Sequence, residues 1–434
     1  MQKQYDVLID KIVPGGQGLG TLDDGRKAFV WNALPGERVL FDMTKKKSKY
    51  VEGVAVMIND PSPERVEPID VDTYLSTSPW QMMSFQAEQK HKADIIIEGF
   101  AQQGVKLPAG LNVYNDGNQW QYRNKVEFSW YGSEDTEKGI EKLDLAFFRR
   151  GTKGKMPLEA CALLPEAMLI LAKSIRDALQ QQSITARELK SLIIRCDQQQ
   201  NCVWQLYMKD RDTGSVASRT LSDVTAQGGE VIYSDPKSPA SIISERLHRV
   251  GKTTLTDEIL NTPFRYNAES FFQVNIPVYS RALDDMRKWI DQDTPTVDLY
   301  SGVGSIGLTI GSADTTLIEL NPDAVREMRR NISTLSSDAR AILAASENAL
   351  EYITSEATII LDPPRAGLHK DVVHRLLETN PHRIIYLSCN PITQARDVSL
   401  LLDKYTIKHV QGYNFFPRTP HIENLVVLDT INAA

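Results

Sequence analysis

The sequence predicts an α/β protein: a Rossmann-like domain towards the C-terminal side, preceded by a small β-barrel and a central α+β region. Three observations carry this. From Thr296 onwards, apolar strands alternate with helical segments, the signature of a parallel sheet. The first stretch, to about Ile58, is a run of short strands broken by Gly and Pro, as in small barrels. Between them, strands and helices mix without an internal repeat.

The length of 434 residues fits two or three domains. Hydrophobic residues at 41% and charged residues at 24% are ordinary for a soluble globular chain. No apolar run is long enough to span a membrane, and the start, Met1-Gln2-Lys3-Gln4, lacks a signal-peptide core. Four cysteines make no disulfide framework, so a cytoplasmic location is expected. A net charge of −7 argues against bulk attraction to nucleic acid but leaves room for local basic patches.

In the first segment, 1–60, Val7, Ile9 and Ile12 lead into the turn Gly15-Gly16-Gln17-Gly18, and Ala28–Trp31 and Arg38–Phe41 follow. Lys45, Lys46, Lys47 and Lys49 form a basic hairpin tip, either a solvated loop or a phosphate contact. Pro61-Ser62-Pro63 opens a central segment, 61–262. Its helix near 84–102 starts at a Ser and carries Phe85, Ala93, Ile96 and Phe100 at helical spacing; it is expected to pack on the last domain. Tyr122–Trp130 reads as a strand with cations at its start and Leu145–Arg149 as its hairpin partner.

The third segment, 263–434, holds the chemistry. Val297–Tyr300 is a strand running into Ser301-Gly302-Val303-Gly304, where small residues let a ligand approach a helix N-terminus. Glu319 ends the next strand, where an acid can accept the hydroxyls of a ribose. NAD and S-adenosylmethionine are equally compatible with those two features. Asp362-Pro363-Pro364-Arg365-Ala366-Gly367 and Ile384–Asn390 each end an apolar strand, placing an acid and the thiol of Cys389 at neighbouring strand ends. Such a thiol is a nucleophile only where its surroundings favour the thiolate. Glu423 precedes the last apolar strand as a possible base, and His421 lies two residues before it.

Taken together, Asp362-Pro363-Pro364-Arg365-x-Gly367, Ile384-Ile385-Tyr386-x-Ser388-Cys389-Asn390-x-x-Thr393, Phe416-Pro417-x-Thr419-x-His421-Ile422-Glu423 and Phe271-Phe272-Gln273-Val274-Asn275 resemble the RNA uracil-C5 methyltransferase family over nearly the whole chain. The resemblance implies a class I methyltransferase domain, an OB-like TRAM barrel that binds RNA at 1–60, and S-adenosylmethionine as methyl donor. It implies Cys389 as nucleophile on uracil C6 and Glu423 as base. It assigns Gln273, Tyr300, Ser305, Glu319 and Asp362 to the cofactor, with Asp362 alternatively on the uracil edge. Ser305 stands where relatives often carry Asn. Ser346 or Glu347 lies near the adenine, and Phe271 or Phe272 stacks on the target base. A 23S ribosomal RNA uridine is the expected target, because tRNA enzymes of the family commonly lack the barrel. A tRNA T-loop uridine, or a non-catalytic RNA-binding relative, is the alternative. An amino-group methyltransferase fits less well, since Arg365 replaces the stacking aromatic of that class. RNA is the expected partner, and a monomer the expected state.

Three departures stand out. Relatives often bind a [4Fe–4S] cluster through four cysteines, whereas Thr73–Trp80 holds none and only Cys161 remains, so no iron–sulfur centre and no metal are expected. Cys196 and Cys202 lie elsewhere without the spacing. Asn414 replaces a common Asp, and Arg418 replaces Gln or His, which suggests a phosphate contact or a cation aimed at the thiol.

Overall fold

A computed structural model describes residues 3–135, 140–224 and 226–431. The chain resolves into two compact units. One comprises Met1–Ser84, Gln119–Leu255 and Asn267–Glu269; the other comprises Phe85–Asn118, Thr256–Tyr266 and Ser270–Ala434.

The first unit contains a closed barrel in the spatial order Gln4–Ile12, Gly18–Thr21, Lys27–Trp31, Tyr50–Ile58 and Arg38–Lys46. Alternation puts Val7, Ile9, Val30, Val39, Phe41 and Val51 inside, the period-two pattern of a strand with one wet face. The unit also holds a seven-stranded sheet, antiparallel except where Cys202–Met208 runs parallel to Gly228–Tyr233. Helix Glu166–Gln181 covers it, burying Met168, Leu171 and Ile175 with Phe128, Trp130 and Trp204. Cys161 is buried, and burial pushes its thiol up to about 11. Around it the donors are Asp70, which accepts from Ala162 N at 3.0 Å, and Gln81, which donates to Asp70 at 2.8 Å and Ser78 at 2.6 Å. One thiol in such a hydrogen-bonded patch does not fit an iron–sulfur cluster.

The second unit is built on an eight-stranded sheet in the order Arg340–Leu343, Thr315–Glu319, Thr296–Leu299, Thr358–Leu361, Arg383–Ser388, Glu423–Thr430, Tyr405–Tyr413, Val113–Tyr114. The first five are parallel, and all residues of Thr296–Leu299 and Thr358–Leu361 are buried, as for strands covered on both faces. The expectation of a purely parallel sheet fails at its far side. Glu423–Thr430 runs antiparallel to Arg383–Ser388, and Tyr405–Tyr413 antiparallel to Glu423–Thr430. A connection of nine residues joins these last two as a hairpin, too short for a crossover helix. The reversal brings Glu423 to the edge where Ser388 ends, since Ser388 pairs with Asn424.

Strand order reverses between Thr296–Leu299 and Thr358–Leu361, the switch point where doubly wound sheets bind ligands. Helix Phe85–Gln102 packs closely on helix Pro391–Leu401: a Cβ on Gly99 would sit 2.6 Å from Ile392 Cδ1. Among the described residues no helix is long and apolar enough to cross a membrane.

Candidate active site

On one side of the switch point, Asp298 Oδ2 accepts from Gly307 N at 2.9 Å, tying the strand to the loop that follows. Burial pushes the Asp298 carboxyl up to about 8. Ser301 Oγ donates to Asp298 O at 2.6 Å and to Ile318 O at 3.0 Å, stitching neighbouring strands at their ends. Tyr300 adopts φ 64, an uncommon state for a bulky residue and one that marks functional loops. Its hydroxyl bonds Ser346 and the His369 backbone. Gly302 has φ 58 with open space where a Cβ would stand, so a ligand can meet the backbone there. Glu319 takes Gly302 N at 3.0 Å and Asn321 N at 2.7 Å, fixing its carboxylate beside that opening. Acid and open glycine together suit a hydroxyl-bearing ligand such as a ribose.

Of the other expected cofactor residues, Gln273 is buried just ahead of helix Ile276–Arg287, which Asn275 caps. Ser305 Oγ lies 2.8 Å from Tyr279 OH. Tyr279 is fully buried, and its phenol is pushed far up by burial, with Asp362, Asp298 and Glu423 adding negative potential. Sequence reading missed Tyr279. Its position three residues inside an amphipathic helix reads as core, and only the fold aims it at acids. Of the adenine candidates, Ser346 is buried on Tyr300, and Glu347 is partly exposed.

On the other side stand the reactive groups. Asp362 follows Leu361; part of the residue is open, but its carboxyl is desolvated and raised to about 7. Pro364–Gly367 closes a turn, with Gly367 N donating to Pro364 O at 2.9 Å. Arg365 O then accepts from Asn390 Nδ2 at 2.9 Å and Thr393 Oγ1 at 3.1 Å, clipping the turn to the loop of Cys389. Asn390 also caps helix Pro391–Leu401 through Ile392 N at 3.2 Å, so the thiol sits just ahead of a helix N-terminus. Cys389 is half-buried. Burial pushes its thiol to about 11, Glu423 and Asp362 reinforce this, and the Arg365 guanidinium opposes it. Glu423 is buried and raised well above the carboxylate range by burial and by Asp362, with Arg365 again opposing. Arg365 Nη2 lies 2.9 Å from His421 Nδ1.

Thiol, two acids and one guanidinium thus act on each other at one sheet edge, on the neighbouring side of the switch point from Glu319 and Gly302. Two expectations are corrected. Arg418 faces neither a phosphate nor the thiol: it is buried, with Nη1 3.5 Å from Glu88. Phe272 is core, stacked on Tyr266 at 4.3 Å, whereas Phe271 is 72% exposed.

Residues 325–431, which contain Asp362, Cys389 and Glu423, match the model of the tRNA (uracil-5-)-methyltransferase family. That stretch is similar to the RNA uracil-C5 methyltransferases. Proteins named RNA methyltransferases resemble it along almost their whole length: one from Lactiplantibacillus plantarum is 27% identical, covering 98% of this chain and 96% of its own. Another, from Nitratidesulfovibrio vulgaris, is 24% identical, covering 98% and 95%. The fold of this chain matches the crystal structure of Pyrococcus abyssi tRNA (uracil-54, C5)-methyltransferase in complex with S-adenosyl-L-homocysteine, with TM-score 0.76, 20% identity, and coverage of 98% and 100%. The likeness is one of fold, and it spans both compact units of the chain.

Proposed function

We propose that this protein methylates C5 of a uridine in RNA through a covalent bond between Cys389 and uracil C6. One observation carries the reading: Cys389 and Glu423 come from separate strands to the same edge, each electrostatically coupled to Asp362 and Arg365. Uracil C5 is a weak nucleophile. Addition of the Cys389 sulfur to C6 pushes electrons towards C5 and O4, which covalent catalysis needs. S-adenosylmethionine, when bound, supplies an electrophilic methyl group for C5. Glu423 then takes the C5 proton, the C6–sulfur bond breaks, and Cys389 leaves as thiolate.

Without ligands, burial raises the thiol and both acids above their ordinary values. The Arg365 guanidinium and the helix N-terminus behind Asn390 favour the thiolate once a substrate draws the group forward. Gln273, Tyr300, Ser305 and Glu319 hold the donor, and Asp362 stands between donor and base. Phe271, exposed beside buried Gln273, stacks on the extruded uracil.

We place the target in 23S ribosomal RNA, with the barrel as a TRAM-type RNA grip and Lys45–Lys49 on phosphates. A tRNA T-loop uridine is the second reading, favoured by one finding. The Pyrococcus tRNA enzyme aligns with 98% of this chain, so the barrel alone does not separate the substrates. The test is to incubate protein and S-adenosylmethionine with 23S rRNA or tRNA from a strain lacking the gene, then map 5-methyluridine. Modification of 23S rRNA supports the first reading and of tRNA the second. RNA containing 5-fluorouracil should form an SDS-stable adduct that Cys389→Ala abolishes; an adduct that survives this change would refute the mechanism.

A further inference from the structure

Glu423 starts its strand directly after a connection, 414–422, whose ends are fixed by the pairing of Tyr413 with Glu423. The connection has little regular structure, and Arg418 within it adopts φ 63. What holds it is a fully buried set of charges on helix Phe85–Gln102, far away in sequence. Glu88 and Lys92, one turn apart, are 0% exposed and 2.9 Å from each other. Glu88 accepts from Arg418 N with both oxygens at 3.0 Å, from Asn414 Nδ2 at 2.8 Å and from the Arg418 guanidinium at 3.5 Å. Lys92 Nζ donates to Asn414 Oδ1 at 2.6 Å and Phe416 O at 3.1 Å. Within the connection, Thr419 Oγ1 donates to Phe416 O at 2.8 Å and accepts from His421 N at 3.3 Å.

An apolar cluster of similar volume would stabilise this site as well or better, because desolvating two cations and a carboxylate is expensive. What the charges supply is direction: each contact names one atom of the connection, and together they define the turn through Asn414, Phe416 and Arg418. We propose that Glu88 and Lys92 are positioning residues for the base Glu423, so that helix Phe85–Gln102, outside the family-matched segment, is part of the active site. The inference rests on Glu423 acting as base in the reaction proposed above.

The experiment exploits the order of steps. A base out of place leaves thiol addition and methyl transfer intact and slows only proton removal and release of Cys389. Glu88→Gln, isosteric but uncharged, is turned over on uridine-containing RNA with S-adenosylmethionine, and the SDS-stable adduct of methylated RNA and protein is measured at steady state. The adduct should rise several-fold over wild type, with donor affinity within twofold, and disappear in Cys389→Ala/Glu88→Gln. Should Glu88→Gln fail to fold, Asn414→Ala, which leaves every charge in place, carries the same expectation. Glu423→Gln is the reference. If it traps adduct while Glu88→Gln and Asn414→Ala only slow turnover, the positioning role is overturned and the cluster is structural. If Glu423→Gln itself traps none, the base assignment fails, and this inference with it.

Discussion

The two loops that meet at the active edge are held by opposite means. The thiol's segment, Cys389-Asn390 and the first turn of helix Pro391–Leu401, is fixed by neutral hydrogen bonds from half-exposed Asn390 and Thr393 to Arg365 O. Such bonds contribute about 1 kcal/mol each. The base's loop, 414–422, is locked by buried Glu88 and Lys92. On the proposed chemistry the difference matches two tasks: the sulfur must reach a ring carbon and later withdraw, whereas the carboxylate must wait in one place.

The comparison breaks most visibly at the reacting groups. Cys389→Ala should abolish both methylation and adduct, measured with labelled methyl donor. Glu423→Gln should lower turnover about 10²–10⁴-fold while adduct accumulates; equal loss of adduct and product would make Glu423 a structural acid. Because Cys389 sits at about 11, single-turnover methylation should climb as pH rises from 6 to 9, reported by rapid quench. A flat profile would mean that addition is not limiting.

The smaller effects separate the loops by stability. Lys92→Ala removes the nearer of the two cations beside buried Glu88 and should cost about 3–5 kcal/mol in urea unfolding, whereas Asn390→Ala, losing a cap, should cost about 0.5–2 kcal/mol. Similar costs would erase the contrast. Asp298 offers a control away from both loops. Burial lifts its carboxyl from 3.8 to about 8, so above pH 4 the folded chain keeps a proton that the unfolded chain has released. Its contribution to stability is therefore lost as pH rises from 4 through 8. Asp298→Asn should flatten that part of the pH dependence of the urea midpoint, whatever its effect on the midpoint itself.

Much of this was legible in the chain. Asp362 and Cys389 each come just after a largely apolar strand, and strand ends of a parallel sheet share an edge, so their company follows from pattern alone. Glu423 was legible as a possible base ahead of the last apolar strand, but not as a neighbour of Cys389, because nothing local says that its strand runs backwards. Glu88 and Lys92 read as an ordinary i,i+4 pair on a wet helix face, since no local signal marks burial of a charge. Arg418 was misread for the same reason, because its partner lies 330 positions away. Phe271 and Phe272 are indistinguishable in sequence, and tertiary stacking on Tyr266 decides between them.

The reversed final strand has a consequence for biosynthesis. On the proposed chemistry, a nascent chain that has left the ribosome only as far as Tyr413 already carries the sulfur, the donor cradle and the Arg365 turn, but not the carboxylate that ends the reaction. A truncated product stopping there also lacks the strand that lies between Arg383–Ser388 and Tyr405–Tyr413, so premature termination is expected to leave the sheet open and the chain without activity.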